Sequence, residues 1–204
     1  MPPRRYRMLG GLEIIDQDTR LELGTRKQRA LLAVLLLAEG QAQSADRLIE
    51  QIWGAAAPDR AEASLQSYVS ILRRALEPDR APRAPAQVLV TRGTGYALLA
   101  PRADVDVWHF TDLVERGRSE HVAGRLDQSA TTLRQALTMY APLLPEFESE
   151  PFHTEAAAHL ERKQLAAIEL SYEVRMALGE HQVLLADLET VSYTHLTLPT
   201  ICSV

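Results

Sequence analysis

The chain has 204 residues, 46% of them hydrophobic, and a formal net charge of −5. That suffices for one large or two small buried cores, while the single cysteine, Cys202, excludes a disulfide framework and a cysteine-based zinc site. The longest apolar run, residues 30 to 38, covers nine positions against the roughly 20 that cross a bilayer, so the expectation is a cytoplasmic chain with no membrane partner.

Residues 5 to 23 alternate apolar and polar side chains (Tyr6 and Met8, Leu12 and Ile14, Leu21 and Leu23), broken by Gly-Gly and an Asp-rich turn, and read as short antiparallel strands. Thr25 with Gln28 has capping-box spacing, and "RKQRALLAVLLLAE" is predicted to run as a helix that Gly40 stops in a left-handed conformation. A second helix opens on Ser44 and ends at Gly54 after Leu48, Ile49, Ile52 and Trp53. Asp59 and Glu62 repeat the capping-box spacing before a third helix, "AEASLQSYVSILRRAL", that Pro78 terminates. "VLVTRGTGYALLA" then reads as a hairpin folded about Gly93 and Gly95, with Val88 and Val90 alternating on one arm and Tyr96 and Leu98 on the other.

From Asp104 onward the apolar stripes are helical: Val107, Phe110, Leu113 and Val114; Ala130, Leu133, Ala136, Leu137 and Tyr140; Ala156, Leu160, Ala167, Leu170, Val174 and Leu178. Gly124 and Gly179 stand at corresponding turns, which suggests stacked helical hairpins of the tetratricopeptide kind. "APLLPEFESEPF", residues 141 to 152, interrupts them, and its three carboxylates read as a solvated acidic loop. The last fourteen residues, 191 to 204, contain no Asp, Glu, Lys or Arg and resemble a translated sequencing-adapter read-through, so they are expected to be a non-native tail.

Charge divides along the chain. Residues 1 to 100 carry 14 Lys/Arg against 11 Asp/Glu; the remainder carries 8 against 16. Two domains with different partners are expected, residues 1–100 and 101–190.

The glycines of "TRGTGYALL" invite a phosphate-loop reading, but a dinucleotide fingerprint needs a third glycine and a helix starting at once, and a P-loop needs Gly-Lys-Ser/Thr. Neither follows; Leu98 and Leu99 continue in strand periodicity. His153 and His159 lie six apart, too far for one helix face, and no Gly-x-Ser-x-Gly elbow or His-Glu-x-x-His helix occurs. No enzyme, cofactor or metal site is expected.

Duplex DNA fits better. Leu65, Val69, Leu72 and Leu76 place one face of the third helix in the core and leave Ser64, Ser67, Ser70 and Arg74 on the outer side. Such a helix can enter a major groove about 12 Å wide, with Arg92 at the hairpin tip reaching an adjacent minor groove or phosphate and the glycines clearing its way. A helical-repeat adaptor with a purely structural N-terminal domain is the competing expectation.

"LQSYVSILRRAL" followed by "LVTRGTGYALL" resembles the third helix and wing of OmpR-type winged-helix domains. With "RYRMLGGLEI", "LGTRKQRALLAVLLL", "RLIEQIWG", "VDVWHFTDLVERGR" and "PFHTEAAAHLERKQLAAIE", residues 4 to 190 resemble the Streptomyces antibiotic regulatory protein family, and the chain looks C-terminally truncated against it. The resemblance implies a mainly α fold with small β-sheets: a winged helix-turn-helix, then a helical bacterial transcriptional activation domain. It implies a transcriptional activator of secondary-metabolite (antibiotic) biosynthesis that binds direct repeats in promoters and recruits RNA polymerase through the loop "WGAAAPDRAE", with homodimerisation a further expectation. DNA contacts carry over to Ser64, Ser67, Ser70, Arg73 and Arg74 in the third helix, to Arg92, Thr94 and Tyr96 in the wing, and to Trp53. Family members often have arginine where this chain has Ile71, so one contact of that pattern is missing.

Overall fold

The computed structural model describes residues 4–180. It is mainly helical with two small antiparallel sheets, and it divides into two compact units. Of the described residues, one unit contains those up to Thr111 together with Met139–Arg162; the other contains Asp112–Thr138 and those from Lys163 on. The expectation of a non-native tail at 191–204 lies outside the described residues.

The first unit opens with a sheet ordered β1-β2-β3: β1 (Arg5–Arg7), β2 (Glu13–Asp16) and β3 (Thr19–Arg20). The period-two pattern is obeyed, since Tyr6, Met8, Leu12 and Ile14 are buried. α1 (Arg26–Leu37) carries the expected capping box, with the Gln28 side-chain oxygen accepting from the Thr25 amide at 2.7 Å. Every residue from Ala30 to Leu36 is buried, so this helix is the centre of the core. Its reversal begins earlier than expected: Glu39, at φ 50°, enters the left-handed region before Gly40 does at φ 80°.

β4 (Gln43–Ser44) leads into α2 (Ala45–Trp53), whose Ser44 hydroxyl accepts from the Arg47 amide. α3 (Ala61–Leu76) buries Ala61, Leu65, Val69, Leu72 and Leu76. Its start differs from the expected Asp59–Glu62 capping box: the N-cap is Arg60, without a side-chain cap bond. The first turn instead rests on backbone hydrogen bonds from Ala61 to Pro58 and from Ser64 to Arg60. β5 (Leu89–Arg92) and β6 (Gly95–Leu98) form the expected hairpin, which joins β4 in a sheet ordered β4-β6-β5. The periodicity of its first arm is shifted by one residue: Leu89, paired with Leu98, is the fully buried position, and Val88 and Val90 are half-buried.

The acidic loop is not solvated as expected. Leu143, Leu144, Phe147 and Phe152 are buried in the first unit. The Glu146 carboxylate accepts from the Leu12 amide and from Arg29, each at 2.8 Å, and Glu150 pairs with Arg26 and Lys27. The Arg26 guanidinium lies 5.4 Å over the Phe147 ring, and the buried His153 ring meets the Leu143 carbonyl at 2.6 Å. The loop therefore fastens the β1–β2 turn to the start of α1. The beginning of α4 (Asp106–Val122) does comparable work. The Asp106 carboxylate accepts from the amides of Met8, Leu9 and Val107, and Trp108 donates from its indole to the Leu36 carbonyl at 3.1 Å. Burial raises the Asp106 pKa, and these backbone donors work against that rise.

In the second unit, the later part of α4 crosses α5 (Leu126–Met139), with Gly124 at φ 72° in the connecting turn. A Cβ on Gly117 would lie 2.7 Å from the Leu133 side chain, and the Ser129 hydroxyl donates to the Gly117 carbonyl at 2.8 Å. Glycine thus sets the close helix approach. The Thr132 hydroxyl donates to buried Glu120, which also pairs with Arg116. The part of α6 (Pro151–Ala177) that lies in this unit buries Ala167, Leu170 and Val174.

Candidate nucleic-acid interface

The outer face of α3 follows from its core face. At 100° per residue, Ser67, Ser70 and Arg74 fall opposite Leu65, Val69, Leu72 and Leu76, and all three are exposed. Ser64 sits at the flank, half-buried. Gln66 and Ile71 are also exposed, Ile71 at 39%, and neither belongs to the set of DNA contacts that the family resemblance implies. Arg73 and Arg74 occupy the last turn, where cations complement the helix dipole.

Arg73 and Arg74 are adjacent in sequence but differ in what they can reach. The Arg73 guanidinium donates through Nε to the Leu89 carbonyl and through Nη2 to the Thr91 hydroxyl, both at 2.8 Å, and lies 5.8 Å over the Tyr96 ring. It ties α3 to the wing. Arg74 points away from the core and shows no ion pair among the described residues. The helical wheel contains this distinction, because position 73 borders the core face and position 74 opposes it.

The wing tip is a two-residue turn between the paired Arg92 and Gly95. Gly93 has φ 58° while Thr94 does not have positive φ, the sign pattern of a type II′ turn. Arg92 and Thr94 are exposed; Tyr96 is half-buried beneath Arg73. The two glycines have different reasons for being there. A Cβ on Gly93 would meet nothing within 4 Å. On Gly95 it would collide with the Gln43 carbonyl oxygen and come within 2.9 Å of the Ser44 Cα, since β4 crosses at this point. Gly95 thus makes room for the protein's own strand, whereas the sequence suggested room for an approach to DNA. Trp53, at the end of α2, stacks on Tyr68 of α3 with ring centroids 5.7 Å apart. That stacking fixes the half-buried Trp53 ring against α3 on this surface.

The face so assembled has hydroxyls from Ser67 and Ser70, cations from Arg74 and Arg92, and no cluster of His, Cys, Asp or Glu able to hold a metal among the described residues. Helix hydroxyls and guanidinium groups suit base edges and phosphates. No helix of the described residues is long and apolar enough to cross a membrane.

Two family models match the chain in tandem: "Transcriptional regulatory protein, C terminal" over residues 18–98 and "Bacterial transcriptional activator domain" over residues 105–197. The class is therefore a transcriptional regulator with a winged-helix domain followed by a helical domain. Within it, the tandem order of the two domains is similar to that of the Streptomyces antibiotic regulatory protein family. The chain is 32% identical over 193 residues to the transcriptional regulatory protein MoaR1 of Mycobacterium tuberculosis, covering 94% of this chain and 61% of that one. The regulatory protein DnrI of Streptomyces peucetius is 29% identical, with 92% and 71% covered. Among solved structures, Mycobacterium tuberculosis EmbR in complex with a low-affinity phosphopeptide superimposes with a TM-score of 0.85 at 30% identity, over 95% of this chain and 51% of that one. The chain thus spans about half to three-fifths of the length of MoaR1 and EmbR.

Proposed function

We propose that the protein is a sequence-specific, double-stranded-DNA-binding transcriptional activator. Residues 1–100 bind promoter direct repeats; residues 101–190, the activation domain, support activation or homodimerisation. The observation that carries this reading is the polar outer face of α3 (Ser67, Ser70, Arg74) fixed by Arg73 against a wing whose tip exposes Arg92 and Thr94. α3 would lie in the major groove and the wing against the neighbouring minor groove or backbone. The exposed loop from Ala55 to Arg60 suits contact with RNA polymerase, and the family supports control of an antibiotic-type pathway by a cytoplasmic regulator.

The test is a gel-shift series at rising salt with wild-type protein, Arg74→Ala and Arg92→Ala. Removing a cation that meets a phosphate should weaken binding to all duplexes and flatten the salt slope by about one unit. Unchanged affinity and slope in both variants would overturn the interface.

A further inference from the structure

We propose that Ile71 is a specificity-determining residue that reads the C5-methyl group of a thymine in the major groove. The inference rests on the DNA-binding reading above and deepens it by naming the chemistry of one base contact.

Ile71 is one of four large hydrophobic side chains exposed among the described residues, and the one that lies on α3. It is 39% exposed in a helix whose core-facing apolar residues Leu65, Val69, Leu72 and Leu76 are essentially inaccessible to solvent. Helical spacing places it one turn from Ser67 and three residues from Arg74, in the row meant for base edges. A singly exposed aliphatic residue is ordinary on a protein surface; what marks Ile71 is its place on the outer face of α3 between Ser67 and Arg74. In the major groove a thymine presents an apolar methyl that accepts no hydrogen bond, and an aliphatic side chain matches it where serine or arginine does not. Isoleucine is stiff at χ1, so the side chain is ordered before binding. Arg74, one turn further on, can engage a neighbouring guanine or phosphate, which makes Ile71 the source of thymine preference and Arg74 the source of affinity.

The experiment uses the full chain. A duplex is enriched by the wild-type protein from a random library, and each thymine in it is replaced in turn by deoxyuridine, which deletes only the methyl. At one thymine per half-site the wild type should lose about fourfold in affinity, the ~0.8 kcal/mol of one buried carbon converted at 1.4 kcal/mol per tenfold. Ile71→Ala should lose a similar factor on the thymine duplex and bind the thymine and deoxyuridine duplexes equally. Selection with Ile71→Arg should replace that thymine by guanine. If no deoxyuridine weakens the wild type, or if the sensitive thymine stays sensitive in Ile71→Ala, the assignment is wrong although DNA binding stands. If no duplex is enriched in a salt-sensitive way, the DNA-binding reading fails and takes this one with it.

Discussion

Arg73 shows what a side chain's partners add to a role that the family resemblance alone implies. Two of its donors are engaged by Leu89 and Thr91, and its guanidinium carbon lies 5.8 Å over the Tyr96 ring, so its charge holds the wing in place. Arg73→Ala should therefore lower stability by about 1 kcal/mol, the usual value for bonds from a charged donor reduced for partial exposure. It should weaken DNA binding without changing the salt slope, whereas Arg92→Ala should change the slope. Thermal melts beside titrations between low and moderate salt separate the two; a flattened slope in Arg73→Ala would make it a phosphate ligand instead. Arg73→Lys should not rescue, because a single ammonium nitrogen cannot hold both the Leu89 and Thr91 oxygens as the guanidinium does through two nitrogens. The wing glycines offer a matched pair. Gly93→Ala meets only the strain of positive φ, about 1 kcal/mol. Gly95→Ala drives a methyl into the β4 backbone and should cost at least about 2 kcal/mol. Equal melting temperatures for the two variants would mean that β4 yields easily. The need for glycine at 93 was legible from a two-residue hairpin. The need at 95 was not, because it depends on a strand about fifty residues earlier crossing that spot.

At the scale of elements, most short-range chemistry was readable, the Asp59–Glu62 cap excepted, and long-range pairing was not. The caps at Thr25 and Ser44, the stop at Gly54 and the alternation through Tyr6, Met8, Leu12 and Ile14 all involve residues within a few positions of one another. The segment 141 to 152 looked like a solvated acidic loop because the cations that engage it, Arg26, Lys27 and Arg29, lie more than a hundred residues away. Its apolar members, Leu143, Leu144, Phe147 and Phe152, were the available sign that it packs. Burial acts to raise the Glu146 pKa, but the Leu12 amide and Arg29 outweigh it and hold the carboxyl below its usual range. A depressed folded-state pKa gives stability that is present above the unfolded value and lost as pH falls through the folded one. Wild type should therefore exceed Glu146→Gln in melting temperature at pH 7, and the gap should close as the pH is lowered through and below about 4.5. A gap independent of pH would assign the effect to packing of the side chain rather than to its charge.

For the whole molecule, the sequence suggests a break near residue 100, and the family models match on either side of it, yet the first compact unit also takes in Met139–Arg162. A chain ending at residue 100 would leave the amides of Met8 and Leu9 without the Asp106 carboxylate and that of Leu12 without Glu146. It would also strip Leu143, Leu144 and Phe147 from the core beside the N-terminal sheet. Each unsatisfied amide costs about 1 to 3 kcal/mol where water cannot reach it, and loss of a buried aromatic costs about 3 to 5. Typical domain stabilities of about 5 to 15 kcal/mol leave little margin for such losses. The fragment 1–100 should melt well below the full chain and lose amide-exchange protection at Met8, Leu9 and Leu12 first, with α3 and the wing retaining theirs. Phe147→Ala in the full chain should reproduce the same pattern of protection loss in milder form. A fragment that melts with the full chain and keeps those three amides protected would show that the winged helix folds without the later segment. Weak DNA binding by the fragment would then reflect missing protein–DNA interactions, whereas in the expected case it reflects a destabilised scaffold beneath an intact α3 face.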